Sequence, residues 1–234
     1  MDIVGLCSIT MNHKYCDESL LKQAIELDGD NGALWLQIAN FHAAKGNTPA
    51  TLEAIEKAIT ATHFNEYYFY KLALFMQTSK GALDVDFSHR AITGLGYHAA
   101  TSVCISEIAK FCTEEKNYSN RYNQLCLALG KTMSTQNNSL IVNTMGLNIQ
   151  SQIYKKEHNE ELHLKAEKQK STTMQKSVNH DLYFQAQTLM LVDEKLFNFW
   201  LTSVIEQGEA IADEMLIKEA ITLSKNPYYQ PCAK

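Results

Sequence analysis

The sequence predicts an all-helical chain of α-α hairpins, and three observations carry that prediction. Proline and glycine are scarce, 3 and 10 in 234 residues, which leaves few of the tight-turn residues that a sheet needs. Apolar side chains recur at spacings of three and four, and no stretch of useful length alternates apolar with polar. The composition, 45% apolar and 20% charged, is that of a folding chain. Its length suits one generous domain or two small ones.

The elements follow in order. A first helix is predicted near 18–27. In Asn31 to Gly46, the residues Leu34, Trp35, Ile38, Ala39, Phe41 and His42 share helical spacing, with Asn31 as N-cap and Gly46 as stop. Thr48 and Pro49 then supply a cap and a first-turn proline, and Leu52, Ile55 and Ile59 form one apolar stripe. Further helices are predicted near 65–79, 83–93, 98–114, 118–129, 138–172, 182–191, 194–207 and 209–224. Within the long 138–172 segment, Ile149 and Ile153 lead into Lys155 to Lys176, where six lysines and four glutamates predict a solvent-facing helix or mobile connection; a basic edge for an acidic partner is the alternative. The helix from Glu194 carries Leu196, Phe197, Phe199, Trp200, Leu201, Val204 and Ile205, apolar nearly all round and therefore buried or an interface. The last helix shows a one-sided stripe of Ile211, Met215, Leu216, Ala220 and Ile221, before Asn226 and Pro227 end the helical part.

Residues recur at an offset of 34. Leu21, Ala24 and Ile25 match Ile55, Ala58 and Ile59; Asn31, Trp35, Ile38 and Ala39 match Asn65, Phe69, Leu72 and Ala73. Small residues at Ala39, Ala58 and Ala73 let helices approach closely, while Trp35 and Phe69 fill the gap between hairpins. In this layout the sequence resembles the tetratricopeptide-repeat family. Thr51 stands at the family's second-helix alanine, and Gly29 and His63 replace its closing proline. Near an offset of 36, Ile105, Ile108, Ala109 and Cys112 follow Phe69, Leu72, Ala73 and Met76, with Leu125, Ala128 and Leu129 on a second helix. The resemblance implies two clear repeats and one degenerate repeat over residues 17–130. Helices of 131–226 then pack on the same stack and close it, and 1–16 and 227–234 are extended ends. The chain is also similar to uncharacterised helical-repeat proteins of bacteria, which implies a fold and no activity.

Charge and motif spacing remove several classes. The 21 basic and 26 acidic residues give −5, the sign opposite to that of a phosphate-backbone binder, and only Arg90 and Arg121 are arginines, so no nucleic-acid surface is expected. No apolar run reaches membrane-span length; Thr188 to Ile205 is interrupted by Asp193, Glu194 and Lys195. His158 and His163 lie five apart, whereas a zinc-protease helix needs four. Gly94, Gly96 and Ala99 follow a predicted helix, not the strand that a dinucleotide loop requires. Asp84 with Asp86 and Glu160 with Glu161 read as helix-cap and surface residues. No catalytic residue, metal site or cofactor is expected.

Six cysteines are present. Cys112 falls late in one predicted helix and Cys126 inside its antiparallel partner, so the two are a candidate disulfide; Cys7 and Cys16 are a second pair, while Cys104 reads as a small hydrophobe. A bridge closing a loop of about 15 residues stabilises by roughly 3 kcal/mol on the chain-entropy model and requires an oxidising compartment. With Met1 as the native start, Met1 to Ser8 shows no signal peptide and a cytoplasmic protein is expected; a trimmed form with disulfides would be periplasmic.

The expected function is a protein-protein interaction scaffold. The tetratricopeptide resemblance implies a concave groove lined by the first helix of each hairpin. It directs Leu36, Gln37 and Asn40 inward from one repeat, and Tyr67, Tyr70, Lys71, Leu74 and Gln77 from the next. The family's peptide-carboxylate clamp has a lysine where Leu36 stands, while Asn40 matches a clamp asparagine. Hairpin packing is the other reading of Tyr67 and Tyr70. Two alternatives stay open: a small-molecule or catalytic site between the repeats and the C-terminal helices, and a structural subunit that dimerises through Phe197, Phe199 and Trp200.

Overall fold

The computed structural model describes residues 18–82, 84–100, 105–114, 120–135, 139–178 and 181–231. These are all-helical, with one isolated bridge between Asn31 and His63. The helices are α1 (Glu18–Asp28), α2 (Gly32–Ala44), α3 (Thr48–Thr60), α4 (Tyr68–Ala82), α5 (Phe87–Ala100), α6 (Ser106–Thr113), α7 (Asn120–Thr135), α8 (Leu140–Lys156), α9 (Glu160–Val178), α10 (Asp181–Met190), α11 (Glu194–Gln207) and α12 (Glu209–Ser224). None of them is long and apolar enough to cross a membrane. The chain forms two compact units that interleave along the sequence. One takes the described residues of 1–66, 101–137 and 141–171; the other takes those of 67–100, 138–140 and 172–234.

The first unit is organised around α2. Asn31 sits in an extended conformation and its Oδ1 accepts from Ala33 N at 3.0 Å, which starts the helix. Gly46, at φ +67, stops the chain after Lys45. The cap of α3 lies one residue earlier than expected: Asn47 Oδ1 accepts from Ala50 N, and Thr48 begins the helix ahead of Pro49. Ala39, Ala54 and Ala58 are buried, so α2 and α3 approach closely. A side chain at Gly32 would place its Cβ 2.8 Å from the Ala58 carbonyl.

The hairpin packed on α2–α3 is α6–α7, with α6 against α2 and α7 against α3. An uninterrupted stack in chain order is therefore not the arrangement of this unit, because the second predicted repeat, α4–α5, belongs to the other unit. Cys112 of α6 and Cys126 of α7 are joined by a disulfide. Cys7, Cys16, Cys104 and Cys232 lie outside the described residues. Gly130 of α7 meets Gly146 of α8: a Cβ on Gly146 would stand 2.6 Å from the Gly130 carbonyl.

The single helix predicted over 138–172 is two. His158 takes φ +54, Asn159 N donates to Tyr154 O at 2.9 Å, and Asn159 Oδ1 accepts from Leu162 N, so one residue pair closes α8 and opens α9. Lysine and glutamate periodicity does not reveal such a break, because both residues favour helix on either side of it.

The second unit packs α4 against α5 and α11, and α10 and α11 against α12. Leu72, Met76, Ala91, Leu196, Phe197, Trp200, Val204 and Leu216 form its core. Phe197 and Trp200 are 0% and 5% exposed, which withdraws both from the predicted dimer contact and leaves Phe199 at the surface. In α12 the predicted Leu216 and Ala220 are buried, joined by Ala212 and Asp213, whereas Ile211 is half exposed and Met215 and Ile221 are only partly buried. After α12 the chain turns back instead of extending, with Tyr228 N donating to Asn226 Oδ1 and the Tyr229 hydroxyl donating to Asp193 Oδ2.

Candidate functional site

The eight predicted groove residues divide between the two units. In the first, Leu36 is fully buried and packs in the core. Asn40 is 6% exposed, and its Oδ1 accepts from the backbone N–H groups of Glu107 and Ile108, both at 3.0 Å. It caps the N-terminus of α6, where Ile105 supplies no side-chain cap of its own. Gln37 is half-buried, and its Oε1 is sealed without a hydrogen-bond partner. Leu36 and Asn40 are thus interior residues, a correction that their surface placement in sequence could not anticipate.

In the second unit the prediction lands on an exposed face. Tyr67, Tyr70 and Leu74 are 38%, 49% and 60% exposed, Gln77 is exposed, and Lys71 is half-buried beside them. Tyr67 immediately precedes α4, and Tyr70, Leu74 and Gln77 continue from it along one ridge at spacings of three, four and three, opposite the buried Leu72, Met76 and Ser79. The Tyr67 and Tyr70 rings meet edge to face with centroids 6.2 Å apart. Tyr67 holds φ +54, a conformation that disfavours non-glycine residues, at the start of this ridge. Its carbonyl accepts from Lys71 N at 2.9 Å, so the first turn of α4 is closed from this strained residue. The chemistry on offer is apolar contact with two phenols and an amide at the edge.

Three polar clusters were invisible in the sequence because their members come from separate segments of the chain. In the second unit, Asp213 is 4% exposed, and its Oδ1 accepts from Trp200 Nε1 at 3.0 Å. Its Oδ2 has no partner with hydrogen-bond geometry. Burial pushes this carboxyl above its ordinary range, against the pull of the Trp200 and Tyr183 donors. Tyr183, whose hydroxyl accepts from Gln187 Nε2 at 2.7 Å, is driven well above the phenol range by burial and then by Asp213.

In the first unit, Ser151, His163, Glu167 and Lys170 converge. Ser151 Oγ donates to Glu167 Oε1 at 2.5 Å and lies 3.0 Å from His163 Nδ1. Lys170 donates to the same Glu167 oxygen at 2.6 Å, and this hydrogen bond, then that from Ser151, holds the Glu167 carboxyl below its usual range. A nucleophilic triad needs histidine between serine and carboxylate. Here serine stands between the other two and is wholly buried, so the cluster fastens α9 to α8.

The donors that could address a metal are Asp28, Asp30 and His63, whose ligand atoms all lie within 4.8 Å of one another. Each is also engaged locally: Asn31 Nδ2 donates to Asp28 at 2.7 Å, Thr62 Oγ1 lies 3.4 Å from Asp30 Oδ2, and His63 Nε2 is 3.6 Å from Asp28. Asn31 ties these loops together, with Nδ2 donating to Asn65 O and Oδ1 accepting from Asn65 N. The matched asparagines of the 34-residue offset thus bond to each other. An open pocket of about 400 Å³ lies over Phe184, Gln185, Thr188, Leu189 and Val192, without a charged lining residue.

No protein-family model, curated protein or solved structure matches this chain, so its functional reading rests on its own residues.

Proposed function

We propose that the protein is a non-catalytic interaction scaffold, a tetratricopeptide-like assembly of helical hairpins that binds a protein segment along the exposed ridge of α4. The observation that carries this reading is the unbroken line of Tyr67, Tyr70, Leu74 and Gln77 at the surface of a helix whose opposite side is buried. Scattered exposed apolar residues are ordinary, but a contiguous aromatic and aliphatic ridge favours a partner. The spacing suits the apolar face of an amphipathic partner helix, packed ridge into groove. Tyrosines contribute large contact area with little side-chain entropy to lose.

The test uses peptides selected for binding to the full chain. Tyr70→Ala combined with Leu74→Ala should weaken capture at least tenfold and leave the thermal midpoint within a few degrees, since neither side chain is buried. Undiminished binding by a folded double variant would refute the α4 assignment. Asn40 is unsuitable for this test because its loss uncaps α6.

A further inference from the structure

We propose that Arg90 and Ser79 form the donor half of a binding site for a small oxyanion in the second unit, on the side of α4 away from the exposed ridge. Arg90 of α5 is one of two arginines in the chain and is only 6% exposed. Buried guanidinium groups are normally matched by a carboxylate or by several carbonyls, because removing the charge from water is costly. Arg90 has neither. Its Nη1 donates to the Met76 carbonyl at 3.4 Å, and its remaining contact is the Phe87 ring, 5.9 Å from Cζ.

A guanidinium has five N–H donors in a planar fork, so four are left without a protein acceptor among the described residues. Asp86, four residues earlier, accepts through Oδ1 from His89 N at 2.8 Å and forms no ion pair with Arg90. Ser79 adds a second buried donor. It is 5% exposed, and its Oγ donates to the same Met76 carbonyl, also at 3.4 Å. Two buried donor groups therefore share one acceptor, both at the long end of hydrogen-bond length. The locality has more donors than acceptors, and its buried positive charge has no ion-pair partner within 4 Å among the described residues.

A carboxylate or phosphate resolves that imbalance. Two of its oxygens match the guanidinium fork, and Ser79 can turn its hydroxyl to a third acceptor position. The Phe87 ring lies on one side of the guanidinium, and the 6% exposure of Arg90 limits the occupant to a small ion.

The experiment is thermal unfolding of the full chain at constant ionic strength in sodium acetate, sodium phosphate or sodium chloride. Acetate or phosphate should raise the midpoint in proportion to the logarithm of its concentration above saturation, and chloride should not. A response to acetate assigns a carboxylate ligand, and a response to phosphate a phosphate ligand. Arg90→Met should match or exceed the wild-type midpoint in chloride, having lost an unmatched buried charge, and should show no oxyanion response. Ser79→Ala, which keeps the fold if Arg90→Met does not, should weaken the apparent affinity about fivefold, the loss of one hydrogen bond. Absence of an oxyanion-specific response in the wild type overturns the proposal. So does a response that survives unchanged in Arg90→Met or Ser79→Ala.

Discussion

Helices α2 and α4 share a sequence pattern 34 residues apart, yet their matched positions lie in different surroundings. Ile38 and its counterpart Leu72 are both buried, at 3% and 0%. Leu36 is fully buried, but its counterpart Tyr70 is 49% exposed; Asn40 is 6% exposed, but Leu74 is 60% exposed. The stripe that the two helices share is buried or partly buried in both. The other face differs because α2 is covered by α6, whereas α4 packs with α5 and α11 on its remaining sides. A repeat in sequence thus fixes a hairpin and leaves open which hairpin it stacks on. The face of α4 left uncovered is the one assigned to a partner.

The largest expected effect that would sharpen this contrast comes from Leu36→Ala. Removing a wholly buried leucine should destabilise the first unit by about 3 kcal/mol, while Tyr70→Ala at the matched position should change stability by less than about 1 kcal/mol. Urea unfolding of both variants measures the difference, and equal losses would mean that the two faces are not distinct.

Asn40→Ala is expected to cost about 2 kcal/mol, because two buried N–H groups of α6 lose their acceptor. Leu74→Ala should be near neutral. Hydrogen exchange at Glu107 and Ile108 would report the uncapping directly, and unchanged protection would contradict the capping role.

The smallest effect is electrostatic and opposite in sign in the two units. The raised carboxyl of Asp213 favours the proton-bound folded state, so the second unit should lose stability as pH rises from about 4 through the folded value. The lowered carboxyl of Glu167 favours the ionised folded state, so the first unit keeps its contribution at neutral pH and loses it as pH falls below about 4. The two tryptophans separate these responses, since Trp35 lies in the first unit and Trp200 in the second. Single-tryptophan variants unfolded between pH 7 and pH 3 should show the second unit gaining stability on acidification and the first losing it below pH 4. Asp213→Asn should flatten the first of these trends. Parallel behaviour of both reporters would defeat the assignment.

Much of the local structure was legible because it depends on neighbours in sequence. Asn31 and Gly46 bracket α2 as their capping chemistry predicts, and the pairing of Cys112 with Cys126 follows from a short hairpin. Tyr70, Leu74 and Gln77, which the tetratricopeptide resemblance placed in a groove, lie at the surface. What the sequence could not disclose was tertiary. The burial of Asn40 depends on α6, which lies more than 60 residues along the chain, and that of Asp213 on Trp200 of α11. The Arg90 and Ser79 donors stand out only when their missing acceptors are known.

The interleaving of the two units has a consequence for biosynthesis. At about 5–20 residues per second, α4 and α5 are made roughly 5–20 s before α11 exists. During that interval Phe69 and Leu72 lack the aromatic and aliphatic surface of Trp200 and its neighbours that later covers them. The first unit likewise waits for α6 and α7 to arrive after a detour through α4 and α5. Neither unit can therefore be completed from a contiguous nascent fragment, and the early hairpins must stay unassociated until their distant partners emerge.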